Sequence, residues 1–135
     1  MSPFKLNFLD HVAIRVKDME KSIAWYEKTL GLKKYQLEKW GDWPIFMLSG
    51  KAGIAIFPAN TSDPKIPRSG NVKIDHFAFN VSNESFAKAQ EHFQSIGEKF
   101  EFQDHDYFHS VYLTDPDGHI VELTTIMVDE QGFYK

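Results

Sequence analysis

The stretch that decides the fold occurs twice, as LDHVAIRV at residues 9–16 and as KIDHFAFNV at residues 73–81. Both copies read Asp-His, an apolar residue, Ala, an apolar residue, a polar residue and Val. The two histidines, His11 and His76, lie 65 positions apart in a chain of 135 residues. Because self-similarity at a fixed offset is typical of repeated structural units, the sequence predicts a duplicated module.

Both copies are followed by the same succession of patterns. Each copy alternates like a half-buried strand, with His and Ala on one face and apolar residues on the other. A helical periodicity then covers residues 18–30 in the first copy and 84–96 in the second. Asp18 and Asn83 are the predicted N-caps, because their side chains can accept hydrogen bonds from free backbone N–H groups.

Further strands complete each module as β-α-β-β-β, which predicts an α+β fold of two tandem βαβββ modules. The modules cover about 8–57 and 73–125, and a Pro-rich linker, 58–70, joins them within a single domain, 6–127. Residues 128–135 are predicted as a loose tail. The predicted strands are 8–16, 32–39, 44–49, 52–57, 73–81, 98–102, 109–113 and 119–125.

Composition excludes several classes of protein. The chain has no cysteine, so disulfides and thiolate metal sites are excluded, and a reducing cytoplasm is the expected location. A formal charge of −4 argues against a nucleic-acid partner. No apolar run approaches the roughly 20 residues of a membrane span, so no membrane partner is expected. The apolar content of 42% is ordinary for a globular protein.

Glu122 is the first residue that indicates a functional site, because it interrupts the otherwise apolar strand IVEL, residues 120–123. A buried carboxylate costs several kcal/mol unless it is paired or bound to a metal. The opening strands offer His11 and His76, and two His with one carboxylate form the ligand set of non-haem Fe(II) sites, which also suits Mn(II). The alternative is that both histidines are ordinary residues hydrogen-bonded at strand ends. Aligning the last strands of the two modules sets Ile56 opposite Glu122.

Four segments carry a family resemblance: DHVA at 10–13, WYEKTLGL at 25–32, DHFAF at 75–79 and DPDGHIVEL at 115–123. With them the chain resembles the vicinal oxygen chelate superfamily, which includes glyoxalase I, extradiol dioxygenases, fosfomycin-resistance proteins and bleomycin-binding proteins. The resemblance implies that the modules form an incomplete β-barrel around a cleft, in a homodimer. It also implies a divalent ion, Fe2+ or Mn2+ ahead of Zn2+ or Ni2+, with ligands His11, His76 and Glu122.

The chain departs from particular members of that superfamily. Glyoxalase I has a fourth carboxylate ligand where the alignment sets Ile56, so glyoxalase I activity is not expected. Fosfomycin-resistance proteins carry an arginine beyond the metal-binding glutamate, and residues 124–129 contain none. Extradiol dioxygenases use a His and a Tyr beside the metal as acid and base. The candidates for these roles are His105, Tyr107, His109 and Tyr112.

The leading hypothesis is therefore a metal-dependent enzyme that chelates a small oxygen-bearing substrate, with dioxygenase-like chemistry slightly favoured. The alternative is a non-catalytic protein of the bleomycin-resistance type, which would sequester a small aromatic compound or an antibiotic.

Trp40 and Trp43 flank the turn at Gly41 and Asp42, and the sequence leaves open whether they form a lid or brace the turn.

Overall fold

The computed structural model describes residues 2–60, 70 and 72–134. The predicted linker, 58–70, lies largely outside the described residues, and Lys135 of the predicted tail lies outside them too. The chain divides into two compact units, Met1–Thr61 (unit 1) and Ser62–Lys135 (unit 2). The arrangement of both modules in one domain stays a prediction.

Unit 1 consists of one helix and one four-stranded sheet, with strand order β1-β4-β3-β2. The first strand is parallel to the last, and the other neighbours are antiparallel. A 3-10 turn at Glu38–Trp40 follows β2. The elements are β1 (His11–Val16), α1 (Met19–Leu30), β2 (Lys33–Tyr35), β3 (Ile45–Ser49) and β4 (Ala52–Pro58).

Unit 2 repeats this topology, with strand order β5-β8-β7-β6 and β5 parallel to β8. The elements are β5 (Phe77–Asn80), α2 (Asn83–Ser95), β6 (Glu101–Asp104), β7 (Phe108–Thr114), β8 (Ile120–Ile126) and α3 (Glu130–Phe133). The prediction of an α+β fold with two βαβββ modules is confirmed. No helix in the described ranges is long and apolar enough to cross a membrane.

Each sheet has a helix face, which carries the apolar core, and an opposite face, called here the open face. In unit 1 the helix face is aliphatic, and its buried residues are Ile14, Val16, Ile45, Met47, Ile54 and Ile56. Tyr26 of α1 is fully buried in the same unit. His11, Ala13 and Arg15 alternate with Ile14 and Val16 along β1, so they lie on the open face.

The register of the sheets corrects the alignment of Ile56 with Glu122. Ala78 of β5 pairs with Glu122, and the equivalent residue of β1, Ala13, pairs with Ala55. Ile56 faces the helix and is 0% exposed. Because neighbouring residues of a strand point to opposite faces, a shift of one position exchanges the two faces. Ala55, rather than Ile56, is therefore the counterpart of Glu122 in unit 1.

Three local predictions also need correction. Ser82 caps α2 by accepting from the Ser85 N–H at 3.1 Å, whereas the Asn83 side chain accepts a hydrogen bond from Thr125 at 2.7 Å. The strand predicted at 32–39 ends at Tyr35, because the chain folds into the 3-10 turn at Glu38–Trp40. In the segment predicted as a loose tail, α3 is held by ring packing between Phe133 and Phe108, 5.0 Å apart.

The turn before β8 is organised by Asp115, whose side chain is 0% exposed. Its Oδ1 accepts backbone hydrogen bonds from Asp117 at 3.0 Å and His119 at 2.8 Å. Its Oδ2 lies 2.7 Å from Nδ1 of His119. This hydrogen bond to the Asp115 carboxylate raises the pKa of His119, and partial burial of the ring opposes it.

We expect the contribution of His119 to stability to depend on pH. Since the folded-state pKa of His119 is raised, the stabilisation is complete below the unfolded-state pKa of about 6.5. It is lost as pH rises through the folded-state pKa. His119→Gln should therefore lower the free energy of unfolding more at about pH 5.5 than at about pH 9, by less than about 1 kcal/mol because the ring is partly exposed.

Urea unfolding at the two pH values measures this difference. His92→Gln, a substitution on the exposed side of α2, is the control for loss of an imidazole elsewhere in the same unit. An equal cost of His119→Gln at both pH values would contradict the expectation.

Candidate metal centre

Glu122 and His76 meet on the open face of unit 2. Glu122 lies in the middle of β8 and is 8% exposed. Its Oε2 is 3.4 Å from Nε2 of His76, which directly precedes β5. The parallel pairing of β5 with β8 sets Ala78 beside Glu122, and this brings the start of β5 close to the carboxylate.

Asp75 fixes the orientation of the His76 ring. Its Oδ2 lies 2.7 Å from Nδ1 of His76, and this hydrogen bond is the main cause that lowers the pKa of Asp75. Because a carboxylate can only accept, Nδ1 carries the proton. The Nε2 atom of the neutral ring then presents its lone pair on the side of Glu122, as a metal-ligating histidine requires.

Unit 1 has the same hydrogen bond between the aspartate and the histidine of its Asp-His pair. The Nδ1 atom of His11 lies 2.8 Å from Oδ1 of Asp10, so His11 also directs Nε2 away from its aspartate. His11 is the first residue of β1 and lies on the open face. The repeated Asp-His sequence thus has a physical role, because each aspartate selects the tautomer of the histidine that follows it.

These groups suit a divalent metal ion. A buried carboxylate beside an imidazole nitrogen is a donor pair that Fe2+, Mn2+, Zn2+ and Ni2+ accept. In neither unit do the described residues contain a group of three or more His, Asp or Glu side chains able to hold a metal. Unit 2 therefore supplies a pair of donors, and the complete set of His11, His76 and Glu122 stays a prediction.

Tyr112 of β7 extends this cluster. It pairs with Glu122 across the sheet, and its hydroxyl is hydrogen-bonded to the Glu122 carboxylate. Burial is the main cause that raises the pKa of Tyr112, and the hydrogen bond to Glu122 adds to it. Nε2 of His105 lies 3.0 Å from the Tyr112 hydroxyl. Two of the candidates from the sequence, His105 and Tyr112, are therefore connected to Glu122.

The structure does not bring the other two candidates to this cluster. His109 lies on the helix face, with its ring 6.5 Å from that of Phe86 in α2 and 5.2 Å from that of Phe102. Tyr107 is 58% exposed, and its ring lies 5.9 Å from that of Phe133. Neither side chain therefore lies beside Glu122 in unit 2, and their assignment as acid or base stays a prediction. Register distinguishes Tyr112 from them, since it faces Glu122 directly.

A cavity of about 890 Å³ opens beside His76 and Tyr112 within unit 2. Its lining includes the carboxylates of Asp75, Glu98 and Glu101 and the ammonium group of Lys99. Negative charge therefore outweighs positive charge in this lining. Such surroundings suit a metal cation and disfavour a ligand with several negative charges.

The fold agrees with comparisons to known proteins. The model of the Glyoxalase/Bleomycin resistance protein/Dioxygenase superfamily matches residues 8–123, and the chain belongs to that superfamily. A glyoxalase/dioxygenase from Nostoc punctiforme, known as a crystal structure, shares the fold with a TM-score of 0.75 at 19% identity, over 95% of this chain and 97% of that one.

Two enzymes are similar in sequence over most of the chain. Metallothiol transferase FosB of Lysinibacillus sphaericus (strain C3-41) is 30% identical over 135 residues, covering 94% of this chain and 89% of the relative. Glutathione transferase FosA of Serratia marcescens is 25% identical over 118 residues, covering 87% of this chain and 80% of the relative. The relatives of this chain thus include metal- and thiol-related transferases by name.

We expect Glu122→Gln to lower the pKa of Tyr112, because the substitution removes a negative charge and a strong acceptor while burial of the phenol remains. The absorbance of tyrosinate during an alkaline titration measures this pKa. Subtracting the titration of Tyr112→Phe from that of the parent protein isolates Tyr112. The same subtraction is made in the Glu122→Gln background. An unchanged midpoint would show that the carboxylate does not act on the phenol.

Proposed function

We propose that the protein is a metal-dependent enzyme in which His11, His76 and Glu122 hold a divalent ion, and that this ion chelates a small substrate through two adjacent oxygens. The observation that carries the proposal is the approach of His76 Nε2 to the buried Glu122 carboxylate at 3.4 Å, with the tautomer fixed by Asp75. The matching Asp10–His11 pair supports His11 as the third ligand.

The bound ion would supply Lewis-acid catalysis at the substrate oxygens. The protein itself contributes orientation and proton transfer. Asp75 holds the ring of His76, and the hydroxyl of Tyr112 lies between Glu122 and Nε2 of His105. Since His105 is exposed, this pair provides a route by which a proton passes between the cluster and solvent. Fe2+ or Mn2+ is the proposed ion ahead of Zn2+ or Ni2+.

The first reaction class is group transfer, supported by the transferase names of both relatives. In such a step a thiolate sulfur bonds to an electrophilic carbon of the substrate, the bond from that carbon to oxygen breaks, and the released oxygen takes up a proton. Fosfomycin is a poor candidate for the substrate. Residues 124–129 contain no arginine, and the cavity lining of unit 2 is rich in carboxylates.

The second candidate is dioxygenase-like ring cleavage, in which both atoms of O2 enter a catecholic substrate. The observation that favours it is the His105–Tyr112 pair beside Glu122, because this chemistry needs an acid and a base near the metal. The third possibility is a non-catalytic binding protein, and the retained ligand set disfavours it. We also propose a cytoplasmic homodimer, in which His11 comes from the same chain or from the second copy.

We expect Glu122→Gln to weaken Mn(II) binding at least about tenfold, since the amide keeps the volume of the side chain and loses its charge. Calorimetric titration of Mn(II) measures the affinity. Glu101→Gln is the matched control, because Glu101 pairs with the other side of Tyr112 on the same open face and changes charge equally. Equal affinities of the Glu122→Gln variant and the parent protein would remove Glu122 from the ligand set.

We expect no isomerisation of the glutathione hemithioacetal of methylglyoxal. Proton transfer to and from carbon needs a base within hydrogen-bond reach, about 3 Å, of that proton. The counterpart of Glu122 in unit 1 is Ala55, which can neither bind a metal nor accept a proton. A thioester-formation assay with Zn(II), Ni(II) and Fe(II) in turn tests this. Turnover at or above about 1 per second with any of them would contradict the role assigned to Ala55.

A further inference from the structure

The open face of unit 1 is aromatic, in contrast to its aliphatic helix face. Phe46 of β3 pairs with Tyr35 on one side and with Ala55 on the other, and Ala55 pairs in turn with Ala13. Phe57 of β4 lies on the same face, beside Arg15. The sheet therefore presents large rings next to small side chains on the face that also carries His11.

Phe46 connects the proposed metal ligand to a tryptophan. Its ring centroid lies 5.2 Å from that of His11, in an edge-to-face arrangement, and 5.3 Å from that of Trp40. Trp40 is 44% exposed. We call Trp40 and Phe46 the aromatic shelf. Since Trp40 packs on a ring that touches His11, it forms a wall of the open face rather than a brace confined to its own turn.

A second aromatic pair stands further along the same face. The ring of Trp43 lies 5.9 Å from that of Phe57, and the guanidinium carbon of Arg15 lies 4.9 Å from the Phe57 centroid. Trp43 is 46% exposed. Between the two pairs, β1 and β4 contribute only the methyl side chains of Ala13 and Ala55. Because Ala55 is 1% exposed, the two partly exposed indoles, rather than a floor between them, offer the accessible contact area.

Single exposed apolar side chains are ordinary, whereas clustered exposed apolar groups mark binding surfaces. Rings favour flat partners, because stacked and edge-to-face contacts add to the burial of apolar area. The Phe46 ring of the shelf contacts the ring of His11. A group that packs on the shelf therefore lies next to the group that His11 binds. A flat ring attached to the chelating oxygens can pack on the shelf while the oxygens reach a metal ion bound by His11.

We infer that the substrate carries a planar, unsaturated ring that packs on the aromatic shelf while two adjacent oxygens of the substrate reach the metal. The inference rests on the proposed function, because it takes His11 as a metal ligand. It adds a substrate class, since an aliphatic chelator of the same kind would leave Trp40 and Phe46 uncovered.

Two hydroxamates test the inference, because they share one pair of adjacent oxygens and differ only in the attached group. Benzohydroxamate carries a phenyl ring and acetohydroxamate a methyl group. Calorimetry with the Mn(II)-loaded full chain should show the phenyl compound binding about fivefold to tenfold tighter. Trp40→Leu and Phe46→Leu should each reduce this preference to within about twofold and leave the affinity for acetohydroxamate unchanged. The control is Tyr134→Leu, which removes an exposed ring from the tail and should keep the preference.

Tryptophan fluorescence gives a second readout. Benzohydroxamate should change the emission of the parent protein, and Trp40→Leu should abolish most of that change. Circular dichroism and Mn(II) affinity of each variant confirm that the fold and the metal site persist.

The possible results separate the two proposals. Equal binding of both hydroxamates would overturn the shelf and leave metal chelation intact. A preference that survives both shelf variants would also overturn it. If neither compound binds the Mn(II)-loaded protein, both the proposed function and the shelf are overturned. Loss of a dimer in sedimentation of Trp40→Leu would show that a second copy, and not a substrate ring, covers this face.

Discussion

The parallel pairing of the first and last strands of each module is the constraint on which the rest of the structure depends. A parallel pair needs a long crossover, and here the helix and the intervening hairpin provide it. The pairing sets Ala78 beside Glu122, so that His76, two residues earlier on the same face, approaches Glu122 although the two lie far apart in sequence. In unit 1 the same pairing sets Ala13 beside Ala55.

The two modules share a topology and have diverged on their open faces. In unit 2 the row across the sheet is Ala78, Glu122, Tyr112 and Glu101, which is polar and contains the proposed ligand Glu122. In unit 1 the equivalent row is Ala13, Ala55, Phe46 and Tyr35, which is apolar and aromatic. Their helix faces must bury a core in both cases. The open faces are not under this constraint, so the open face of unit 2 carries charged and polar side chains and that of unit 1 carries aromatic rings.

Burial of the Glu122 carboxylate is energetically unfavourable, because the group loses hydration that nearby dipoles must replace. The Tyr112 hydroxyl offsets part of this loss and is itself held by His105. The lone pair of His76 Nε2 lies near the carboxylate without donating a proton to it. A hydrophobic residue would pack in β8 at lower cost. The carboxylate is therefore best explained by a cation that it binds, which is the basis of the proposed metal site.

The sequence by itself determined the duplication, the βαβββ order, the N-cap at Asp18 and the unusual position of Glu122, because these depend on local patterns and on the burial of charge. Only the tertiary structure decided register. A strand alternates faces at every residue, so an error of one position exchanged Ala55 with Ile56. The structure likewise places His109 on the helix face and Tyr112 opposite Glu122. Pairing between strands decides which residues face each other, and spacing along a single strand does not reveal that pairing.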